Sequence, residues 1–169
     1  MLNLLRRGSD FRTAARRLSA ALMAQARQPA FFERLAVPDT MDGRFDLVAL
    51  HAWLVLDRIA GELQLTQALI DEVFLGFDEA LRELGTGDVG MNRRLKTMAS
   101  AFYGRLAAYR AAASPEALAA AVLRNVYRGA PGWQAQAGAL AAYAQAARER
   151  LGSCDVAQGA LDFGPLPLT

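Results

Sequence analysis

Leu84–Lys96 reads LGTGDVGMNRRLK, and within it Gly85, Gly87 and Gly90 spell G-x-G-x-x-G. That spacing fits a dinucleotide-binding turn, in which glycines let the backbone approach a pyrophosphate between a strand and a helix. The choice between an α/β fold and an all-helical one hangs on it. The fingerprint needs a strand before the glycines, a helix after them and an acidic residue about 20 residues on. Before Gly85, however, Leu69, Val73, Phe77, Leu81 and Leu84 form a helical stripe, and Phe102 to Tyr109 downstream contain no acid. The glycines therefore read as an interhelical turn. Gly85 caps one helix in the left-handed conformation, Gly87 relaxes the turn, Asp88 is the N-cap of the next helix and Gly90 lies in its first turn. No nucleotide, other cofactor or small-molecule substrate is expected.

Working outward, the same period recurs. Downstream, Leu95, Met98, Phe102, Leu106 and Tyr109 make one buried face. Ser114-Pro115-Glu116 starts another helix, with Ser114 as cap, proline at the first helical position and an acid near the positive end of the dipole. Its face is Leu118, Val122 and Val126, and Trp133, Ala137, Leu140, Ala144, Ala147 and Leu151 stripe the helix after it. Upstream, Thr66 reads as a cap. Gly43 to Ile59 is apolar in nearly every direction, the mark of a central, buried helix. A short helix is expected over Ala30–Leu35, and Phe11 to Arg27 forms an amphipathic helix capped by Ser9 or Asp10. With no alternating strands and no linker, residues 1–169 read as a single compact all-α bundle of about six helices. Residues 152–169 read as an extended or flexible tail.

Composition narrows the class. An apolar share of 53% with 21% charged residues suits a soluble globular chain. No apolar run reaches the roughly 18 residues of a membrane span, and no secretory signal is expected, because Arg6 and Arg7 follow the short apolar start. One cysteine, Cys154, and one histidine, His51, cannot build a structural zinc site within the chain. The lone cysteine fits a reducing compartment.

Charge is unevenly spread. Six arginines against Asp10 give residues 1–27 a net +5, leaving −3 in the remainder. This basic N-terminal helix has three readings: it lies on an anionic membrane surface, it touches ribosomal RNA, or it packs on the bundle. Packing with an electrostatic bias is preferred, because its alanine-rich face is a weak anchor. A second charged region is the corner around the glycine turn, where Arg82, Glu83, Asp88, Arg93, Arg94 and Lys96 crowd together. It reads either as a solvated face or as a recognition surface.

The stretch FDEALRELGTGDVGMNRRLKTMASAFYGRLAAY, Phe77–Tyr109, resembles the ubiquinol–cytochrome c chaperone family. The matched pattern is an acidic helix ending L-R-E-x-G, then G-D, a basic stretch with a lysine, F-x-G-R and A-Y. QPAFFERLAVPDTMDGRFDLVALHAWLVLDRI, Gln28–Ile59, is similar to the bacterial branch, and the resemblance covers about residues 25 to 110. It implies a helical, non-enzymatic assembly chaperone of the cytochrome bc1 complex that binds newly made cytochrome b. It also implies a location on the cytoplasmic side of the inner membrane, or the matrix side in mitochondria. A second assembly factor, the ribosome or an anionic membrane surface are further partners to consider; DNA is not. The positions carried over are Arg82, Glu83, Asp88, Lys96, Phe102, Gly104, Arg105 and Tyr109, and Arg93 and Arg94 join the partner-binding set as their charged neighbours.

One rival reading is a small enzyme or a haem or metal carrier using His51. A lone histidine in an apolar helix is more often a satisfied core side chain. No E-x-x-H pair or haem-attachment signature accompanies it.

Overall fold

The computed structural model describes residues 2–83, 85, 88–156 and 159–166, with residues 2–9, 88 and 89 described for the backbone alone. Seven helices follow in order: α1 (Leu2–Ala26), α2 (Pro29–Glu33), α3 (Met41–Arg58), α4 (Leu63–Glu83), α5 (Asp88–Arg110), α6 (Pro115–Val126) and α7 (Gln134–Leu151). Six are long and α2 is a single turn, so the all-α bundle expected from the sequence is the fold.

The bundle is organised around α3. Every residue from Phe45 to Leu56 is buried, because α1, α5, α6 and α7 all pack against this helix. Thr40 caps it, its hydroxyl accepting from Gly43 N at 3.2 Å. Gly43 is required there: a Cβ would collide with the carbonyl of Pro38. Helix α4 runs along α1, burying Leu65, Leu69, Val73, Phe77 and Leu81. Gly85, at φ 73°, makes the left-handed exit after α4, its N–H bonded to Arg82 O. Ser114 caps α6 by accepting from Ala117 N at 3.1 Å, with Pro115 opening the helix.

Three local expectations are corrected. Ser9 and Asp10 are not caps, because α1 already runs from Leu2 through both. Thr66 is not a cap either. It lies within α4, and its hydroxyl donates to Ile59 O at 3.1 Å, tying α4 back to the end of α3. Asp88 is the first residue of α5 rather than the residue before it; its side chain, like Leu84, Thr86 and Gly87 of the turn, lies outside the described residues.

Helix α1 buries Ala15, Leu18, Leu22 and Ala26, while Arg12, Arg16 and Arg17 stay exposed. Its apolar face is thus spent on α3 and α4, as the packing reading expects. After α7 the chain has no helix or strand over 160–163, and it packs back on the bundle: Val156 and Phe163 are buried.

Candidate functional site

The charged corner forms where α4 gives way to α5. Arg82 Nε holds Asp78 Oδ2 at 2.7 Å one turn back on α4. Glu83 is exposed, and Arg93, Arg94 and Lys96 are exposed along the first turns of α5. Below them Met91, Phe102 and Leu106 are buried, while Leu95 and Met98 are partly covered and packed on the core. This is the face that the sequence period indicates.

Two residues assigned to that surface lie elsewhere. Tyr109 is 1% exposed, its ring against Trp53 with centroids 5.5 Å apart, so it is core and offers a partner nothing. Arg105 is drawn inward by Asp46, and its side chain keeps only 16% exposure. Its Nε donates to Asp46 Oδ1 at 2.6 Å, Nη1 donates to Ala101 O at 3.1 Å, and its guanidinium lies 4.9 Å over the Phe45 ring.

Asp46 is the residue that the sequence reading overlooked. It is 0% exposed on α3, within the run Phe45–Leu56 that is buried throughout. A carboxylate cannot stand there without counter-charge, and two arginines from distant segments supply it. Arg105 comes from α5; Arg128, just past α6, brings Nη1 to 2.8 Å from Asp46 Oδ2. Arg128 has φ 57°, a left-handed conformation costing an L-residue roughly 1–2 kcal/mol. The exit from α6 thus turns its guanidinium back over α3, where it also bonds Asn125 O and lies 3.9 Å from Asp42. Burial pushes the Asp46 carboxyl up to about 6, and the charges of Arg105 and Arg128 hold it from rising further. Burial, with the nearby Asp46 charge, also keeps the Tyr109 phenol protonated far above its ordinary range.

Above this cluster lies a cleft of about 380 Å³, walled by Met41 and Phe45 of α3, Met98 and Arg105 of α5, and Arg124 and Arg128 of α6 and its exit. On the other side of Met41 and Phe45 is a second cleft of about 440 Å³. It is lined by Met23 and Arg27 of the α1 end, Arg44, Phe77 of α4, and Glu83 from the charged corner. Met41, 39% exposed, is the ridge between them.

His51 lies apart from both clefts. It is 0% exposed, with Nδ1 donating to Leu47 O at 2.7 Å and Nε2 accepting from the Tyr143 hydroxyl at 2.9 Å. Gln25 donates to the same hydroxyl at 2.9 Å, and the rings of Phe31 and Phe163 abut the imidazole. Burial pulls its pKa down to about 4, so it is neutral with both nitrogens engaged. A ligand atom would have to break this network to reach either nitrogen. Among the described residues, no three of His, Cys, Asp and Glu gather as a metal site.

The geometry defines a class: an all-α bundle whose buried histidine has both ring nitrogens hydrogen-bonded, with open clefts of mixed lining around the start of α3. The family model for the ubiquinol–cytochrome C chaperone matches residues 33–159, and the chain belongs to that family. A solved structure, the crystal structure of the Cbp3 homolog from Brucella abortus, is similar to it with 38% sequence identity and a TM-score of 0.83. The likeness covers 98% of this chain and 97% of that one. Among curated proteins none matches.

Two residues of the F-x-G-R and A-Y pattern now have structural places: Arg105 neutralises Asp46 and Tyr109 fills the core beneath. The signal that could have led to Asp46 was present. A single carboxylate amid an apolar run demands a cation, and the chain has arginines to spare.

Proposed function

We propose that this chain is a non-enzymatic assembly chaperone of the cytochrome bc1 complex that holds newly made cytochrome b. The observation that carries the reading is membership of the chaperone family over residues 33–159. The likeness to the Brucella Cbp3 homolog along nearly the whole chain supports it. The reading places the chain on the cytoplasmic side of the inner membrane in peripheral contact; no described helix is long and apolar enough to cross a membrane. The exposed arginines of α1 suit such a contact, or one with ribosomal RNA or a second assembly factor.

Client contact is assigned to the corner of Arg82, Glu83, Asp88, Arg93, Arg94 and Lys96 and to the two clefts beside Met41, one bordered by Glu83 and the other by Arg105. Arg105 acts there by shaping the cleft wall, and Tyr109 by supporting it from the core. Helix-in-groove recognition suits apolar segments not yet packed in their final complex.

The test is a tagged chain expressed in a strain deleted for the native copy. Cytochrome b should co-purify with the chain, and the deletion should deplete assembled cytochrome bc1. Normal levels of the complex without the chain, together with no cytochrome b in the purified fraction, would overturn the reading.

A further inference from the structure

We infer that the clefts on either side of Met41 and Phe45 form one trough for an acidic amphipathic segment with two bulky apolar anchors, one per cleft. The inference rests on the proposed function, in that the occupant is a polypeptide; it adds that occupant's chemistry. Three observations lead to it.

The first is shape. Cavities of about 380 and 440 Å³ share Met41 and Phe45 as a common wall, so one ligand crossing the ridge reaches both. Both are within the size range of ligand sites, and a helix laid across the ridge presents its apolar anchors on the one face turned to them.

The second is the floor. Met23, Met41 and Met98 line it, with Phe45 and Phe77. Methionine is flexible and polarisable, so such a floor adapts to different apolar side chains.

The third is charge. Five arginines line the two clefts, against Asp42, Glu83 and the buried Asp46. Arg44 is held by Asp39 at 2.7 Å, and Arg105 and Arg128 by Asp46. That leaves Arg27 in one cleft and Arg124 in the other with no ion pair among the described residues. Each cleft therefore offers an apolar floor beside one available guanidinium. A side chain such as Leu or Phe with a neighbouring carboxylate matches that pairing most closely in the first cleft, where three arginines stand against Asp42 and the buried Asp46; in the second, Glu83 offsets part of the charge that Arg27 offers.

The test uses a fluorescent synthetic helix of about 18 residues, five turns, with Leu and Phe on one face and Glu flanking them. A control peptide carries Lys in place of Glu. Fluorescence anisotropy with the purified full chain should show the Glu peptide binding at least ~10-fold tighter than the Lys peptide, with affinity falling as salt rises. Met41→Glu should abolish binding, and Arg124→Glu or Arg27→Glu should weaken it several-fold. All three positions reach solvent, so a melting curve checks each fold. Equal binding of the two peptides, or wild-type affinity in folded Met41→Glu, would overturn the inference. If neither peptide binds while cytochrome b still co-purifies with the chain, the inference falls and the proposed function stands. If cytochrome b is absent as well and the complex reaches normal levels without the chain, both fall.

Discussion

Asp46 and His51 are both 0% exposed on α3, yet the chain satisfies them in opposite ways. His51 is kept neutral, with a donor on one nitrogen and an acceptor on the other, in a chain running from Gln25 through Tyr143 to Leu47 O. Aromatic rings close it off. Asp46 is neutralised by two guanidiniums, one of them on a side chain 48% exposed and in a left-handed backbone. The histidine network is enclosed by α1, α2, α3, α7 and the C-terminal segment around Phe163. The aspartate cluster lies at the foot of an open cleft. A neutral, fully paired network costs little to bury and has no reason to meet solvent. A charged cluster gains when its long cations keep one edge in water, and that edge becomes a cleft wall.

The strongest way to break this contrast is Arg105→Met. It keeps much of the stem volume and removes the closer counter-charge. Asp46 is then left buried with only the half-exposed Arg128, and stability at about pH 7.5 should fall by about 3–5 kcal/mol in urea denaturation. The loss should shrink near pH 5, where the carboxyl can take a proton. A uniform loss at both pH values would mean that Arg105 matters for packing rather than charge.

Titration sharpens the comparison further, because the two residues shift in opposite senses. Asp46 is raised from 3.8 to about 6, so its contribution is full below the unfolded value and is lost as pH rises through about 6. His51 is lowered from 6.5 to about 4, so its contribution is full above the unfolded value and is lost as pH falls through about 4. Between those limits the two trends oppose each other on one helix. Asp46→Asn removes one of them. Relative to the unsubstituted chain, the variant should gain stability as pH rises from about 4 to about 7, by up to ~3 kcal/mol at 1.36 kcal/mol per pKa unit. Denaturation midpoints across that range check it; a difference independent of pH would remove Asp46 from the titrating set.

The sequence disclosed these two residues unequally. His51 was legible as a satisfied core side chain, and one of its partners, Leu47 O, lies one turn away on the same helix, although the other, Tyr143, stands 92 residues off. The caps at Ser114 and Gly85 were legible for the same reason, since their partners are within a few residues. Asp46 was not. Its partners stand 59 residues away at Arg105 and beyond α6 at Arg128, and periodicity says nothing about which arginine a carboxylate will find. The clefts were hidden too, since they come from how α1, α3, α4, α5 and α6 meet. Phe163 shows the same limit at the chain end: its tail segment lacks a helical period, and tertiary contacts, the one with His51 among them, place it.

Tyr143→Phe tests the sealed side of the comparison. It deletes the hydroxyl that accepts from Gln25 and donates to His51 Nε2, leaving a buried acceptor unpaired while the ring packing persists. The expected cost is ~1–3 kcal/mol, smaller than for Arg105→Met because no charge is stranded. Cytochrome bc1 assembly should survive where the fold does. A cost near zero would show that His51 finds another partner and that its network is not fixed.

The smallest effect on stability is expected where charge is neither buried nor paired with the core, at Arg93 and Lys96. Both are exposed on the first turns of α5. Reversing them together, Arg93→Glu with Lys96→Glu, should change stability by no more than about 0.5 kcal/mol, as exposed substitutions usually do. On a client surface the same pair creates like-charge contacts with an acidic partner, which lowers both encounter rate and affinity. Assembled cytochrome bc1 should then fall sharply in a deletion strain complemented by the double variant, while the melting temperature of the purified protein stays unchanged. That outcome would separate two kinds of arginine in one molecule: those such as Arg105, whose loss is expected in stability, and those such as Arg93, whose loss is expected in assembly alone. Normal complex levels with normal stability would remove the corner from the client surface and leave the trough beside Met41 as the place to look for contact.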